Sequence, residues 1–213
     1  DFPDIEHDFL VVVAYGQLVK QNVLDAPKIA ALNVHGSLLP QWRGASPMQH
    51  TLLHGDATTG ITIQRMVRKL DAGPILGKVE HVVKDRETIS SLHDSLSVIG
   101  TQLLIDIIKN PPEEKDQDET GVSMCHKLSR ESGAVDPKTM TAIEIDRAVR
   151  ALVPWPGVKC GVGGAEVKLL ETQLEPTEDS IELPCKDSVL HIIKLQPPGK
   201  TAMSGADFMR GRT

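Results

Sequence analysis

The chain has 213 residues, of which 40% are hydrophobic, and it carries a formal net charge of −6. This length allows a sizeable buried core in one or two domains, and we expect two. The negative charge argues against nucleic-acid binding over the whole surface, although it does not exclude a local basic face. Cys125, Cys160 and Cys185 lack the spacing of a zinc site or a disulfide framework, which favours a reducing compartment. The longest apolar run, residues 9–15, is too short to span a membrane.

The first half of the chain alternates strand and helix patterns. Residues 9–15 are apolar at nearly every position, which predicts a strand covered on both faces in a parallel sheet and ended by Gly16. Ser46 followed by Pro47 predicts a helix start. In chain order the predicted elements are strand 9–15, helix 18–24, strand 29–35, helix 46–55, strands 60–67 and 75–83, and helix 88–107.

The second half begins after a run of charged residues that cannot bury a face. We therefore predict a first domain at 1–111, a linker at 112–122 and a second domain at 123–213. Closely spaced strands, one pair joined at Gly163-Gly164, are typical of a small β-barrel. The predicted elements are helix 141–152 with a capping box, strands 158–162, 166–172, 180–183 and 189–195, and a short helix at 204–208.

Asn33 and His35 stand at the end of the second predicted strand. Alternation along a strand puts both on one side, with Cα atoms about 7 Å apart. An amide can hold the oxyanion of an acyl transfer, and an imidazole can take a proton from an attacking amine and return it to the leaving nitrogen. Asp71, in the turn 68–74, could orient the ring and favour its charged form. These residues predict a site for acyl transfer to an amine.

A structural interpretation of the same residues stays open. Asn33 and His35 could satisfy backbone groups at a strand end, with Asp71 capping a turn. His50 and His54 have helical spacing, but no third ligand is apparent, so we interpret them as a solvated helix face and expect no metal. No glycine-rich dinucleotide or phosphate-binding motif is present, which argues against nucleotide cofactors.

The end of the chain is net basic. Lys194, Lys200, Arg210 and Arg212 outnumber Asp207 there. Such a cluster could be a rim that contacts phosphates or only a charged tail, and the sequence does not separate the two.

Three motifs together are more specific than any one of them. Residues 33–40 (NVHGSLLP), 42–47 (WRGASP) and 70–73 (LDAG) resemble the signature of the 10-formyltetrahydrofolate-dependent formyltransferases. Residues 127–129 (KLS), 154–156 (PWP) and 195–203 (LQPPGKTAM) are similar to the second domain of a family member that acts on initiator methionyl-tRNA. The resemblance covers essentially the whole chain.

The resemblance implies an α/β fold, with a Rossmann-like formyltransferase domain that is partial and has a mainly parallel sheet, followed by a small C-terminal β-barrel that helps hold tRNA. It implies that Asn33, His35 and Asp71 are catalytic, and that the methionyl α-amine attacks the formyl carbonyl of 10-formyltetrahydrofolate. We expect a monomer without membrane contact, in a bacterial cytoplasm or an organellar matrix. The implied folate-binding residues are Gly16, Gln17, Leu18, Val19, Ser37, Leu38, Leu39, Pro40, Arg68, Lys69 and Leu70. The implied tRNA-binding residues are Arg43, Lys194, Lys200 and Arg210.

The family pattern also includes a strand, a helix and a tRNA-contacting loop before the point where this chain begins, so we expect a truncated or partly recorded chain. Three alternatives remain: a formyltransferase acting on an amino-sugar nucleotide, a formylfolate hydrolase with water as acceptor, and a non-catalytic remnant that only binds RNA. The runs at 42–45 and 196–203 favour the enzyme that acts on tRNA.

Overall fold

We describe a computed structural model of the chain, which covers residues 5–211. The chain folds into two compact units. The first unit holds the segments up to Thr51, Asp56–Asp85 and Ser90–Lys127, and the second holds Leu52–Gly55, Arg86–Ile89 and the segment from Leu128 onward. The predicted linker at 112–122 belongs to the first unit throughout.

Six strands and three helices lie between residues 9 and 125. They are β1 (Phe9–Val13), α1 (Gln21–Leu24), β2 (Ala30–His35), β3 (Arg43–Gly44), α2 (Pro47–His54), β4 (Thr58–Arg65), β5 (Ile75–Val82), α3 (Ile89–Lys109) and β6 (Met124–Cys125). Short 3-10 turns lie at Glu119–Gly121 and Arg130–Gly133. Each helix and strand predicted for the first half is present, with its ends shifted by a few residues at most.

The first unit is built on a four-stranded sheet with the order β1-β2-β4-β5. β1 and β2 are parallel, whereas β2 pairs antiparallel with β4, and β4 with β5. The α/β class with a parallel strand pair is confirmed, but the sheet is mixed rather than mainly parallel. For β4 and β5 the reason is their short connection, which permits an antiparallel hairpin and leaves no length for a crossover helix.

β1 is more exposed than its composition suggests. Val11, Val13 and Tyr15 are 37%, 61% and 57% exposed, so the expectation of a strand covered on both faces is wrong for the described residues. β1 lies at the edge of the described sheet, and apolar composition alone does not specify what packs on a strand. The core lies instead under β2 and β4, where Leu32 and Ile63 are fully buried, and against α3 through Leu92 and Leu96.

The second unit is rich in strands, as predicted. It contains α4 (Ala142–Leu152), β7 (Val158–Val162), β8 (Ala165–Gln173), β9 (Ile181–Pro184), β10 (Val189–Gln196), β11 (Met203–Ser204) and α5 (Gly205–Arg210). The strands form an antiparallel sheet with the order β11-β10-β8-β7, and β9 also pairs with β10. Closure of this sheet into a barrel stays a prediction.

Local sequence signals explain the ends of several elements in the second unit. Thr141 and Glu144 form the predicted capping box at the start of α4. Gly163 and Gly164 turn between β7 and β8 with φ angles of 55° and 81°, the left-handed values that favour glycine in a tight hairpin.

None of the helices within residues 5–211 is long and apolar enough to cross a membrane.

Candidate active site

Asn33 and His35 lie two positions apart on β2 and therefore share one face of the sheet. On the antiparallel neighbour β4, Gln64 lies opposite Asn33 and Thr62 lies opposite His35. Leu32, on the other face, is fully buried in the core. Strand register thus places two amides and an imidazole beside one another.

Asp71 reaches the same place from the connection between β4 and β5. Its backbone adopts φ 46°, a left-handed value that costs energy for any residue except glycine and is best tolerated by Asn and Asp. Its Oδ1 accepts hydrogen bonds from Asn33 Nδ2 at 3.3 Å and Gln64 Nε2 at 3.0 Å. Its Oδ2 accepts one from the Gly44 N–H at 2.9 Å. The structure therefore brings the three residues predicted to be catalytic together.

His35 is 5% exposed, and each ring nitrogen has a defined neighbour. Nε2 lies 2.9 Å from the Trp42 carbonyl oxygen, which can only accept, so Nε2 carries the proton. Nδ1 is left to face Asp71 Oδ1 at 3.8 Å. Burial lowers the pKa of His35 below its ordinary value, while the Asp71 charge and the Trp42 carbonyl act in the opposite direction. The imidazole is therefore neutral at neutral pH and can accept a proton on Nδ1.

The loop that presents the Trp42 carbonyl is held in an unusual conformation. Trp42 has φ 56°, and its N–H donates to Ser123 Oγ at 2.9 Å. Two residues later, Gly44 has φ 126°, and a Cβ there would lie 2.1 Å from the Cys125 carbonyl oxygen. The parallel pairing of β3 with β6 creates this close approach. Only glycine fits at position 44, where the N–H must also reach Asp71.

A cleft of about 460 Å³ opens beside these residues. Asn33, Gln64 and Asp71 form part of its wall. The remaining wall is mixed apolar and cationic, formed by Gln17, Leu18, Val19, Lys20, Gln21, Leu24, Met66, Val67, Arg68 and Leu70. Five of the predicted folate-binding residues, Gln17, Leu18, Val19, Arg68 and Leu70, therefore line one cleft, whereas Gly16 and Lys69 are adjacent in sequence but do not line it.

The predicted folate-binding segment 37–40 lies elsewhere. Ser37 and Leu39 are buried, at 1% and 0% exposure. Thr62 Oγ1 donates to the Ser37 carbonyl at 2.7 Å and accepts from the Leu39 N–H at 3.0 Å. Leu38 and Pro40 are half-buried. The structure thus shows this segment packed against β4 and not lining the cleft.

The basic residues predicted to contact tRNA have different environments. Arg43 is 2% exposed, and its guanidinium donates to Gln117 and Glu119. In the second unit, Lys194 and Lys200 are exposed, and the exposed Arg210 pairs with Asp207. Arg212 lies outside the described residues.

His50 and His54, four residues apart on α2, have different environments. The His50 Nδ1 donates to the Ser46 carbonyl at 2.9 Å, and its ring centroid lies 5.6 Å from that of Trp42. His50 is therefore half-buried against an indole, so the interpretation of a solvated face is wrong for this residue, while His54 is exposed. Residues 5–211 contain no group of three or more His, Cys, Asp or Glu that could hold a metal ion.

Sequence reasoning missed Gln64, Gln117 and the Gly44 N–H as parts of the site. Gln64 had a usable signal, because strand alternation over 60–67 gives it a defined face and a neighbouring strand was predicted. Gln117 had none, since it lies in a charged run without periodicity.

The fold and this cleft agree with the motif resemblance. The profile named Formyl transferase matches residues 3–108, and the profile named Formyl transferase, C-terminal domain, matches residues 127–213. The chain belongs to the formyl transferase family. It is 39% identical, over 99% of its length, to the Methionyl-tRNA formyltransferase of Paramagnetospirillum magneticum, of which the alignment covers 73%.

Two solved structures share the fold at low identity. HypX from Aquifex aeolicus in complex with tetrahydrofolic acid has a TM-score of 0.70 at 17% identity, covering 95% of this chain and 38% of that one. Methionyl-tRNA formyltransferase from Clostridium thermocellum has a TM-score of 0.66 at 13% identity, covering 89% of this chain and 78% of that one.

Proposed function

We propose that the protein transfers a formyl group from 10-formyltetrahydrofolate to the α-amino group of methionyl-initiator tRNA, for translation initiation. The observation that carries this proposal is the cluster of Asn33, His35 and Asp71, in which Asn33 and Asp71 line one cleft and the buried His35 faces Asp71. The relative from Paramagnetospirillum magneticum, named for the same reaction, supports the choice of substrate.

His35 acts as the general base in this proposal. Its Nδ1 is unprotonated because Nε2 donates to the Trp42 carbonyl, and the lowered pKa keeps the ring neutral at neutral pH. Nδ1 takes a proton from the attacking amine as the new bond forms between that nitrogen and the formyl carbon. Positioned proton transfer of this kind contributes typically about 10²–10⁴-fold in rate.

Asn33 holds the oxygen of the formyl group. One hydrogen of its Nδ2 donates to Asp71, which fixes the orientation of the amide, and the other is available to a developing oxyanion in the cleft. Removing such a donor costs on the order of 10²–10³ in kcat.

Asp71 stabilises the imidazolium that forms after proton transfer. Its Oδ1 lies 3.8 Å from Nδ1, which carries no proton in the neutral ring, and this distance is short enough for charge attraction once the ring is protonated. The imidazolium then returns the proton to N10 as the bond between N10 and the formyl carbon breaks. The formyl group thus ends on the amine, the proton lost by the amine ends on N10 of tetrahydrofolate, and His35 is neutral again.

The cleft fits a folate in chemistry. Leu18, Leu24 and Leu70 offer apolar surface to a flat ring system, and Arg68 and Lys20 offer cations to carboxylates. We assign the donor to this cleft and give residues 37–40 the role of supporting the wall through β4. For tRNA we retain the exposed Lys194, Lys200 and Arg210 as phosphate contacts. Arg43 is left out of that set because it is buried among hydrogen-bond partners.

An amino-sugar nucleotide acceptor and a water acceptor would use the same three residues. The 39% identity over nearly the whole chain to a relative that is named for action on tRNA favours the tRNA acceptor. A non-catalytic RNA-binding role is disfavoured because the imidazole, amide and carboxylate keep a competent arrangement.

The test is single-turnover formyl transfer from 10-formyltetrahydrofolate to methionyl-tRNA by the complete protein and its His35→Ala and Asn33→Ala variants. We expect transfer by the wild type and a loss of roughly a hundredfold or more in each variant. His93→Ala, at an exposed histidine on α3, is a matched control and should stay within a few-fold of the wild type. If tetrahydrofolate is released without formylated tRNA, the formyl acceptor is water or another amine and not tRNA.

A further inference from the structure

One segment of the first unit carries a contact that the proposed mechanism does not use. Residues 111–120 are exposed except for Gln117, which is half-buried. The segment runs antiparallel to the start of β5, where Lys115 and Ile75 exchange backbone hydrogen bonds of 2.7 and 3.0 Å. This pairing places the Gln117 side chain under the connection that carries Asp71.

The amide of Gln117 is engaged at both ends. Its Nε2 donates to the carbonyl oxygens of Asp71 at 2.9 Å and Gly73 at 2.8 Å. Its Oε1 accepts from Arg43 Nε at 3.0 Å and Nη2 at 2.7 Å. A guanidinium can only donate and a carbonyl can only accept, so the position requires one donor and one acceptor in a single side chain of this length. Neither Glu nor Met supplies both.

The network continues to the proposed catalytic carboxylate. Gln117 Nε2 lies 3.3 Å from Gln64 Oε1, and Gln64 Nε2 in turn donates to Asp71 Oδ1. Gln117 thus holds the backbone of Asp71, and Gln64 holds its side chain. Holding is needed here because φ 46° is costly for Asp71 and persists only where the surroundings fix it.

We propose that Gln117, itself fixed by the buried Arg43, is a positioning residue for formyl transfer, which holds the Asp71 backbone so that the carboxylate stays beside His35 and Asn33. The inference rests on the proposed function. Gln117 lies away from the reacting atoms and acts through Asp71, since none of its contacts is to His35, to Asn33 or to the cleft wall apart from Asp71 and Gln64.

The first experiment compares kcat and KM for Gln117→Glu and Gln117→Met in the complete protein. Gln117→Glu keeps the acceptor for Arg43 and removes the donors, so it separates positioning from the burial of Arg43. Both variants should lose on the order of tenfold to a hundredfold in kcat with KM for the folate within about threefold, because a small displacement of a catalytic group costs rate. Glu114→Gln is the matched control, since Glu114 lies in the same segment and binds Arg65 instead.

A double-mutant cycle with Asp71→Asn gives a result that a merely structural role would not. If Gln117 acts through the carboxylate, Gln117→Glu should cost no more than about twofold in the Asp71→Asn background. Full additivity overturns the proposal, as does a Gln117→Glu variant within twofold of the wild type. A loss of activity that follows the unfolded fraction, measured by circular dichroism, also overturns it.

Titration of His35 by NMR tests the inference independently of catalysis. Asp71 faces the ring, Cys125 shares the Trp42 carbonyl with it, and His50 lies beyond the Trp42 indole. Gln117→Met adds no charge, so displacement of Asp71 should lower the pKa of His35, in the same direction as Asp71→Asn. If the pKa of His35 is unchanged in Gln117→Met, the positioning role is contradicted, whichever acceptor the protein uses. If the pKa is lowered but no formylated tRNA is formed, only the proposed function is overturned.

Discussion

The two units each contain a carboxylate with several hydrogen-bond donors, and the donors differ in kind. In the second unit, Asp146 is 1% exposed and accepts from Arg86 Nη1 at 2.6 Å, Arg150 Nε at 2.9 Å and Thr172 Oγ1 at 2.9 Å. Two cations therefore balance its charge. This is the arrangement expected of a group that joins α4 to its neighbours, since a buried charge must be paired.

In the first unit, the hydrogen-bond donors to Asp71 are the amides of Asn33 and Gln64 and the N–H of Gly44. All three are neutral, and within the described residues the one basic side chain within 4 Å of Asp71 is His35, whose ring is neutral before proton transfer. The carboxylate of Asp71 is therefore hydrogen-bonded, but no positive charge balances its negative charge before the reaction. Its field therefore remains available to an imidazolium that forms during the proposed reaction, as expected of a catalytic rather than a structural carboxylate.

The largest effect that this comparison predicts is on catalysis by Asp71→Asn. The substitution keeps the shape and one acceptor oxygen for Asn33 and Gln64, but it removes the charge that stabilises the imidazolium and puts an NH2 group opposite the Gly44 N–H. We expect kcat to fall by about a thousandfold, or roughly 4 kcal/mol of transition-state stabilisation, and stability to fall by only about 1 kcal/mol from the unpaired Gly44 N–H. Single-turnover formyl transfer and thermal unfolding measure the two quantities. Activity within tenfold of the wild type would remove Asp71 from the mechanism.

Asp146→Asn should show the reverse pattern. Arg86 and Arg150 would lose the charge between them, one of them in a largely buried position, and we expect about 3 kcal/mol of lost stability. The activity of the folded fraction should be unchanged. Chemical denaturation, with activity normalised to folded protein, measures both. A loss of turnover per folded molecule would mean that Asp146 also affects catalysis, which contradicts the distinction drawn between the two carboxylates.

The sequence indicated one half of the site better than the other. Asn33 and His35 could be placed on one face because the side-chain period of a strand is two, and the capping box at Thr141 could be placed because its signal is local. The contact of Gln117 with Asp71 could not be placed, because Gln117 lies 46 residues away in a charged run whose pairing with β5 has no sequence signature. Pairing of Arg86 with Asp146 spans 60 residues and has the same difficulty.

The direction of β4 relative to β5 was readable from the sequence, because the short connection between the two predicted strands leaves no length for a crossover helix. The direction of β2 relative to β4 was not, because a helix lies between these strands and such a connection permits either direction. The segment 37–40 shows a further limit. The motif resemblance implies folate contacts for this segment, whereas in the structure its backbone forms hydrogen bonds with Thr62.

Gly44→Ala tests the backbone donor of Asp71 and should have an intermediate effect. A Cβ at this position would lie 2.1 Å from the Cys125 carbonyl oxygen, so β3 must move and take its N–H away from Asp71. We expect about 2 kcal/mol of lost stability together with lost activity. Gly199→Ala is the matched control, with φ 69° and nothing within 4 Å of the added Cβ. It should cost roughly 1 kcal/mol and leave turnover unchanged, and equal behaviour of the two variants would contradict the role of the Gly44 N–H.

The smallest effect expected is on the pH dependence of kcat/KM, and it separates the two carboxylates by sign. His35 must be neutral to accept a proton, so activity should rise with pH through its pKa, which burial holds below the ordinary 6.5. The negative charge of Asp71 favours the imidazolium and raises that pKa, so Asp71→Asn should move the acid limb to lower pH. Asp146→Asn should leave the limb in place, because two arginines already balance that charge. An acid limb that moves to higher pH in Asp71→Asn would mean that the carboxylate does not act on the imidazole as a charge.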